Sequence, residues 1–299
     1  MSSPAKPSSD MMTTREVADY LRIKERKVYD LVRLNRIPCT RVTGKLLFPK
    51  GLVDRWMADS TASATEGAAL PPVVAGSRDP LLDWAVRDSG SGLALMAGGS
   101  EDGLRRLAAG EAVAAGVHLL DPETGVYNVP AVTATAAHLG VVAFEWAWRE
   151  EGLLLPAGNP RGIHGLADLA RHKVKVIRRQ PGAGARVLFD HLAATAGLAA
   201  RDLAYVEPIA MTGQEVGFAI LEGKAEAGIG LRAVAKQLLL EFVPLASERF
   251  DLVLRRRDFF EPPFQKLLAF ARGDAFRARA AELGGYDVSG LGKVRYNAP

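Results

Sequence analysis

The stretch Arg178-Arg179-Gln180-Pro181-Gly182-Ala183-Gly184-Ala185-Arg186 constrains the larger part of this chain. It follows the apolar run Val174-Lys175-Val176-Ile177 and precedes a helical spacing of Val187, Leu188 and Leu192, so it reads as strand, glycine-rich turn and helix start. Such a turn can cradle an anion. Glycines let a ligand approach the main chain, and the first N–H groups of a helix lack internal partners and lie at its positive end. An ordinary tight turn has the same outline, and what surrounds the loop decides between the two.

The chain of 299 residues is long for a single core and predicts two or three units. Its net charge of +4 is unevenly placed: residues 1 to 59 hold twelve Lys/Arg against seven Asp/Glu, leaving a small negative balance for the rest. A basic surplus confined to one small module is the asymmetry expected where that module meets nucleic acid. Cys39 is the single cysteine, which excludes an intrachain disulfide and a cysteine-rich zinc site and points to a cytoplasmic setting. Cys39 itself reads as a small buried strand residue. The first ten residues lack the apolar run of a secretory signal, and no stretch approaches a membrane span.

In the basic module, Met12 to Glu16 reads as a helix start capped by threonine, followed by Val17, Ala18 and Leu21 at helical spacing. After Arg22-Ile23-Lys24 a second helix is predicted from about Glu25 to Asn35, with Val28, Leu31 and Val32 inward. Ile37–Arg41 and Lys45–Phe48 read as a hairpin wing around Val42-Thr43-Gly44, and Pro49 opens a third helix through Leu52, Val53 and Trp56. Lys24, Arg26, Lys27, Arg33, Arg41 and Lys45 are the DNA-contact candidates, because they fall on one helix and one wing. Tyr29 is expected to pack against the third helix, with contact to a DNA sugar as the alternative. This order of parts resembles the excisionase-like and MerR-like winged helix-turn-helix family over about 45 residues.

Ser60 to Gly76, rich in Ser, Thr, Ala, Gly and Pro, reads as a linker. Beyond it, apolar runs at Leu93–Ala97, Val117–Leu120, Val141–Trp148, Val174–Ile177, Ala204–Val206 and Ala225–Gly230 alternate with helical patterns. Alternation of this kind predicts parallel sheets covered by helices, with ligands at the carboxyl ends of strands. Return segments at Phe242–Leu245 and Phe250–Leu254 suggest one crossing out and one back between two lobes.

Gly98 to Asp102, "HLLDPETGVYN" from His118, "GNPRGIHGLADL" from Gly158, the glycine loop, "GKAEAGIG" from Gly223 and "FVPLASERFDLV" from Phe242 carry a second resemblance. They look like the periplasmic-binding-protein-like domain fused to helix-turn-helix modules in bacterial regulators, which is similar to molybdate- and tungstate-binding proteins. The expected fold class is therefore an N-terminal winged helix-turn-helix plus an α/β two-lobed type II periplasmic-binding-protein-like domain. The expected division is 12–59 for the first domain, 60–76 for the linker and 77–299 for the effector domain. Within the latter, lobe 1 takes about 77–157 and 243–299, and lobe 2 takes 158–242.

The implied effector is a small anion, with molybdate or tungstate first, and no other cofactor is expected. Candidate ligand residues are Ser100, Gly182, Ala183, Gly184, Ala185, Arg186 and Thr212 at helix starts, with Tyr127 and Asn128 as further donors and Arg179 as an alternative source of charge. Related loops read Gly-Ser-Gly-Thr-Arg; the alanines here remove two hydroxyls, which leaves other anionic metabolites open. The histidines show no metal-ligand spacing and read as surface or satisfied residues. No nucleophile elbow, phosphate loop or zincin helix is present, so neither catalytic nor metal residues are expected, and an enzyme would have only Glu215 or Glu226 as a base. The whole predicts a transcription regulator that binds a double-stranded operator as a homodimer or higher homo-oligomer, with no membrane partner. The rival is an architectural, excisionase-like DNA-binding protein whose lobes serve as a ligand-free dimerisation scaffold.

Overall fold

The computed structural model describes residues 11–34, 37–42, 44–64 and 70–298, and the chain divides into two compact units, 1–69 and 70–299. Residues 65–69 of the expected linker, the opening ten residues, Asn35 and Thr43 lie outside the described residues.

The first unit opens with β1 (Met11–Thr13), followed by α1 (Thr14–Tyr20), α2 (Glu25–Arg33), β2 (Thr40–Val42), β3 (Lys45–Pro49) and α3 (Lys50–Ala64). Thr13 caps α1 reciprocally: its hydroxyl accepts from the Glu16 N–H, and the Glu16 carboxylate accepts from the Thr13 N–H at 2.8 Å. The two helices and the β2–β3 hairpin follow the expected order. The strand β1 was not foreseen; it pairs with β3 and completes a sheet ordered β1-β3-β2. Met12, Val17, Ala18, Val28, Ile37, Phe48 and Val53 form the core. Cys39 is exposed rather than buried, and Tyr29 is exposed rather than packed on the third helix. The small core is already filled by Val28, Phe48 and Val53.

The second unit runs β4 (Val73–Gly76), α4 (Pro80–Asp88), β5 (Ala94–Ala97), α5 (Ser100–Ala108), β6 (Ala114–Val117), α6 (Val129–Ala136) and β7 (Val141–Leu155). It continues through α7 (Leu166–Arg171), β8 (Lys175–Arg179), α8 (Gly184–Thr195), β9 (Ala204–Ala210), α9 (Gly213–Leu221), β10 (Ala227–Leu231) and α10 (Arg232–Gln237). It closes with β11 (Glu241–Arg255), α11 (Arg256–Phe259), α12 (Pro262–Ala271), α13 (Asp274–Leu283), β12 (Tyr286–Asp287) and β13 (Val294–Asn297).

The linker expectation fails at both described ends. Ser60–Ala64 continue α3, and Val73–Gly76 form a strand between β5 and β6 rather than a tether. A four-residue strand buried among neighbours carries no alternation, and its flanking Pro71-Pro72 and Gly76 mimic a loop composition. The strand expected at Val117–Leu120 lies earlier, at Ala114–Val117. Its small residues reflect close packing: a Cβ on Gly116 would stand 2.7 Å from the Phe250 ring.

The sheet order is β5-β4-β6-β11-β7-β10-β8-β9, with β12 and β13 also on β7. The long antiparallel partners β7 and β11 run through both lobes, and each lobe adds a parallel trio to one side of them. Two register shifts, near Leu245 and near Trp146, bracket the segment between the lobes. Such bulges bend a strand pair locally. Lobe 1 packs Phe144, Trp146 and Phe250 against α12 and α13 on one face and Val141 and Val253 against α5 and α6 on the other. Lobe 2 places Leu153 with Leu188 and Phe189 on one face, and Leu154 with Val216 and Ile220 on the other. Among the described residues, no helix is long and apolar enough to cross a membrane.

Candidate functional site

The carboxyl ends of the parallel strands from both lobes meet at one cleft. β4 delivers Ser77 and Arg78, β5 delivers Gly98 and Gly99, and β6 delivers His118, while lobe 2 supplies Arg179 as the last residue of β8 and Thr212 after β9. This polar zone encloses about 270 Å³, its mouth included. A second zone of about 330 Å³ shares Arg78, His118, Arg179 and Gly213 with it and extends over the hinge strands toward Glu151 and α10. Both α8 and α9 begin at the cleft, so their first N–H groups, which have no intrahelical acceptor, lie beside it.

The floor is a buried charge network on the segment between the bulges. The Arg149 guanidinium donates to Asp79 at 3.1 Å and to Glu248; His118 Nδ1 lies 2.7 Å from the other Glu248 oxygen. Asp79 also caps α4 through the Leu82 N–H at 2.7 Å and accepts the Tyr286 hydroxyl at 2.7 Å. Burial pushes Glu248 toward neutrality, but Arg149 and His118 more than offset this and hold it ionised, down to about 2. Glu151, hydrogen-bonded to Glu248, goes the other way: burial and then the charge of Glu248 raise it well above the usual carboxylate range. One of the two is thus held as the neutral acid. Burial also lowers His118, opposing the pull of Glu248.

Arg179 differs from the other cations. Its Nε donates to Gln180 at 3.2 Å and its Nη2 to the Met211 carbonyl at 3.0 Å, but among the described residues no carboxylate lies within ion-pair distance. Burial depresses its affinity for the proton, with Glu151 and Glu215 opposing from farther off. Arg78, by contrast, is paired with Asp83 at 3.0 Å.

The expected ligand residues divide. Thr212 lines the polar zone, where its hydroxyl caps α9 by accepting from Glu215 N–H at 3.2 Å. Ala185 lines the second zone with a methyl group. Ser100 is fully buried one step behind the cleft, its hydroxyl 2.9 Å from that of Ser77 and 3.1 Å from the His118 N–H that it accepts. Asn128 is committed internally: it accepts from the Leu119 N–H at 2.6 Å and donates to Asp251 at 2.7 Å. Tyr127 packs on Trp148, its hydroxyl 3.5 Å from the Ser247 carbonyl, and burial raises its pKa. Arg186 pairs with Asp190 at 2.6 Å and borders a separate small pocket with Phe189 and Tyr205.

The glycine loop holds the lobes together. The Gly182 carbonyl accepts from the Glu101 N–H of α5 at 3.3 Å, and a Cβ on Gly182 would meet the Glu101 carboxylate at 2.7 Å. A Cβ on Gly184 would overlap the His118 carbonyl and come within 2.6 Å of His118 Nδ1. Ala183 is buried as the residue before α8. The glycines allow close approach, as expected of them, but the group approaching is the other lobe. Arg78, Ser77, Arg149 and Glu151 escaped sequence reasoning, the first two because β4 resembled a linker and the last two because a charged pair inside an apolar strand gives no site pattern.

The base candidates are occupied elsewhere: Glu215 accepts from the Met211 N–H at 2.8 Å and Glu226 from the Lys175 N–H at 2.9 Å. In the first unit, Lys24, Arg26, Lys27 and Arg33 are exposed along α2, and Arg41 and Lys45 are exposed on the hairpin.

Residues 83–272 match the model of the PBP superfamily domain. The chain belongs to this superfamily. Residues 11–61 match a helix-turn-helix domain, so the PBP-superfamily unit is joined to an excisionase-like DNA-binding module. Both families are binding modules. The chain is 26% identical to the uncharacterized protein YvgK of Bacillus subtilis, over 94% of this chain and 96% of that one. In solved structures the fold is shared with a phosphate-transporter substrate-binding protein from Clostridium perfringens with bound phosphate, at 14% identity and a TM-score of 0.54, covering 75% of this chain and 99% of that one. It is shared too with the tungstate ABC transporter of Geobacter sulfurreducens, at 15% identity and a TM-score of 0.53, covering 70% and 97%.

Proposed function

We propose that this protein is a cytoplasmic transcription regulator whose interlobe cleft takes up a small anion and thereby alters operator binding by a homodimer. One observation carries the anion: Arg179, a partly buried guanidinium at the cleft with no carboxylate in ion-pair reach among the described residues. An anion bound there supplies the missing countercharge, and Ser77 and the starts of α8 and α9 supply uncharged donors. Because Arg78 and Arg179 come from different lobes, a shared ligand favours the closed arrangement. Coupling to DNA requires that the effector favour one state by about 1–3 kcal/mol.

The test is a thermal-shift screen with molybdate, tungstate, sulfate, phosphate and small carboxylates, followed by DNA titration with and without each binder. At least one anion is expected to raise the unfolding temperature and change DNA affinity. No shift with any anion at millimolar concentration sinks the anion reading; a binder that leaves DNA affinity unchanged sinks the regulatory one.

A further inference from the structure

We infer that the effector is an organic anion, a phosphate monoester or carboxylate with a carbon body, and not a bare inorganic oxyanion. The inference rests on the anion reading above and concerns what lies beyond the charged head. The polar zone offers an anionic head the Arg179 guanidinium and the Ser77 hydroxyl, while the Thr212 hydroxyl donates to Glu215 and the Gly98 and Gly99 N–H groups to the Gly76 carbonyl. Beside it Gln180 is 6% exposed, and its Nε2 has no hydrogen-bond partner among the described residues, while a Cβ on Gly99 would stand 3.2 Å away. A buried amide donor next to this backbone gains an acceptor when an anion sits there.

The second zone is built differently. One wall is carbon, from Pro80, Ala185, Leu231 and Val234, and the floor carries Arg149 and Glu151. Arg149 is already matched by Asp79 and Glu248 and Arg78 by Asp83, so once the head has taken the shared Arg179 this zone offers no second unpaired guanidinium for another anionic group. The carbon wall binds a methylene body by removing it from water, and the neutral Glu151 carboxyl can exchange a hydrogen bond with a hydroxyl or amine on that body. Ala185, at the start of α8, adds an apolar residue to that wall.

Isothermal titration of the full chain with paired probes tests the inference: phosphate against propyl phosphate, and formate against butyrate. Each buried methylene contributes roughly fourfold in affinity, so the longer member of at least one pair is expected to bind more than tenfold tighter. The near-isosteric variants Ala185→Ser and Val234→Thr should shrink that ratio severalfold. Equal or tighter binding of the short members overturns the organic assignment and leaves the anion reading standing, as does a ratio the variants do not move. Binding by none of the four probes overturns this inference, and the anion reading falls with it when molybdate, tungstate and sulfate also fail to bind.

Discussion

Glu151 and Glu248 stand on the two antiparallel strands that join the lobes, buried and hydrogen-bonded to each other, with Arg149 and His118 both bonded to Glu248. This asymmetry makes Glu248 the anion and Glu151 the acid. It also ties proton binding to the hinge.

The pH dependence follows from the directions of the two shifts. A carboxyl raised on folding binds more protons folded than unfolded, so its contribution is complete below about pH 4 and is lost as pH rises through its folded value. Glu151→Gln removes that loss. Thermal unfolding from pH 5 to 9 should show the wild type weakening relative to the variant as pH rises; parallel curves would show that Glu151 is ionised in the fold. Glu248 acts oppositely, and its contribution fades only as pH falls below about 4 toward its folded value of about 2.

Two arginines near the glycine loop should separate cleanly. Arg179→Gln removes the charge-assisted contacts to the anion, a loss of about 1.5–3 kcal/mol, or roughly ten- to a hundredfold in affinity. Arg186→Ala removes an i,i+4 pair with Asp190 and a long 3.5 Å bond to the Arg179 carbonyl, and should change affinity by only about twofold. Titration with whichever anion binds decides the matter, and the reverse order would place the site in the Arg186 pocket.

Gly184→Ala pushes a methyl group into His118 across the closed lobes. Overpacking of this kind costs about 1–3 kcal/mol. Both a lower unfolding temperature and weaker anion binding are expected, because the closed form is what the methyl opposes. Gly165→Ala is the control: its φ is extended and its added Cβ meets nothing within 4 Å.

Asn128→Ala should damage folding and spare the chemistry of the cleft. It strips acceptors and donors from the Leu119 N–H and Asp251 in the interior, for a loss of about 2–4 kcal/mol by chemical denaturation. If stability is untouched and anion binding vanishes, the residue is a ligand contact after all.

Lys27→Ala on α2 and Lys45→Ala on the hairpin leave the small core intact. Each phosphate contact removed should lower the slope of log affinity against log salt by about one. An unchanged slope in binding measured from 50 to 200 mM salt would take these residues off the DNA face.

How far the sequence reached depends on the signal that each part left. The capped helix at Thr13, the inward Val28 and the alternation of strands and helices from Leu93 onward are local patterns, because propensity, caps and apolar spacing act within a few residues. These determined the two modules and the strand ends that line the cleft. Which groups face the cleft is settled by pairing across 70 to 130 residues, as between Asp79 and Arg149 or His118 and Glu248. No local pattern encodes such pairs. The glycine loop shows both sides: its strand–turn–helix form is written in Val174 to Leu188, while its contact with Glu101 and His118 exists only because β7 and β11 bring the other lobe against it.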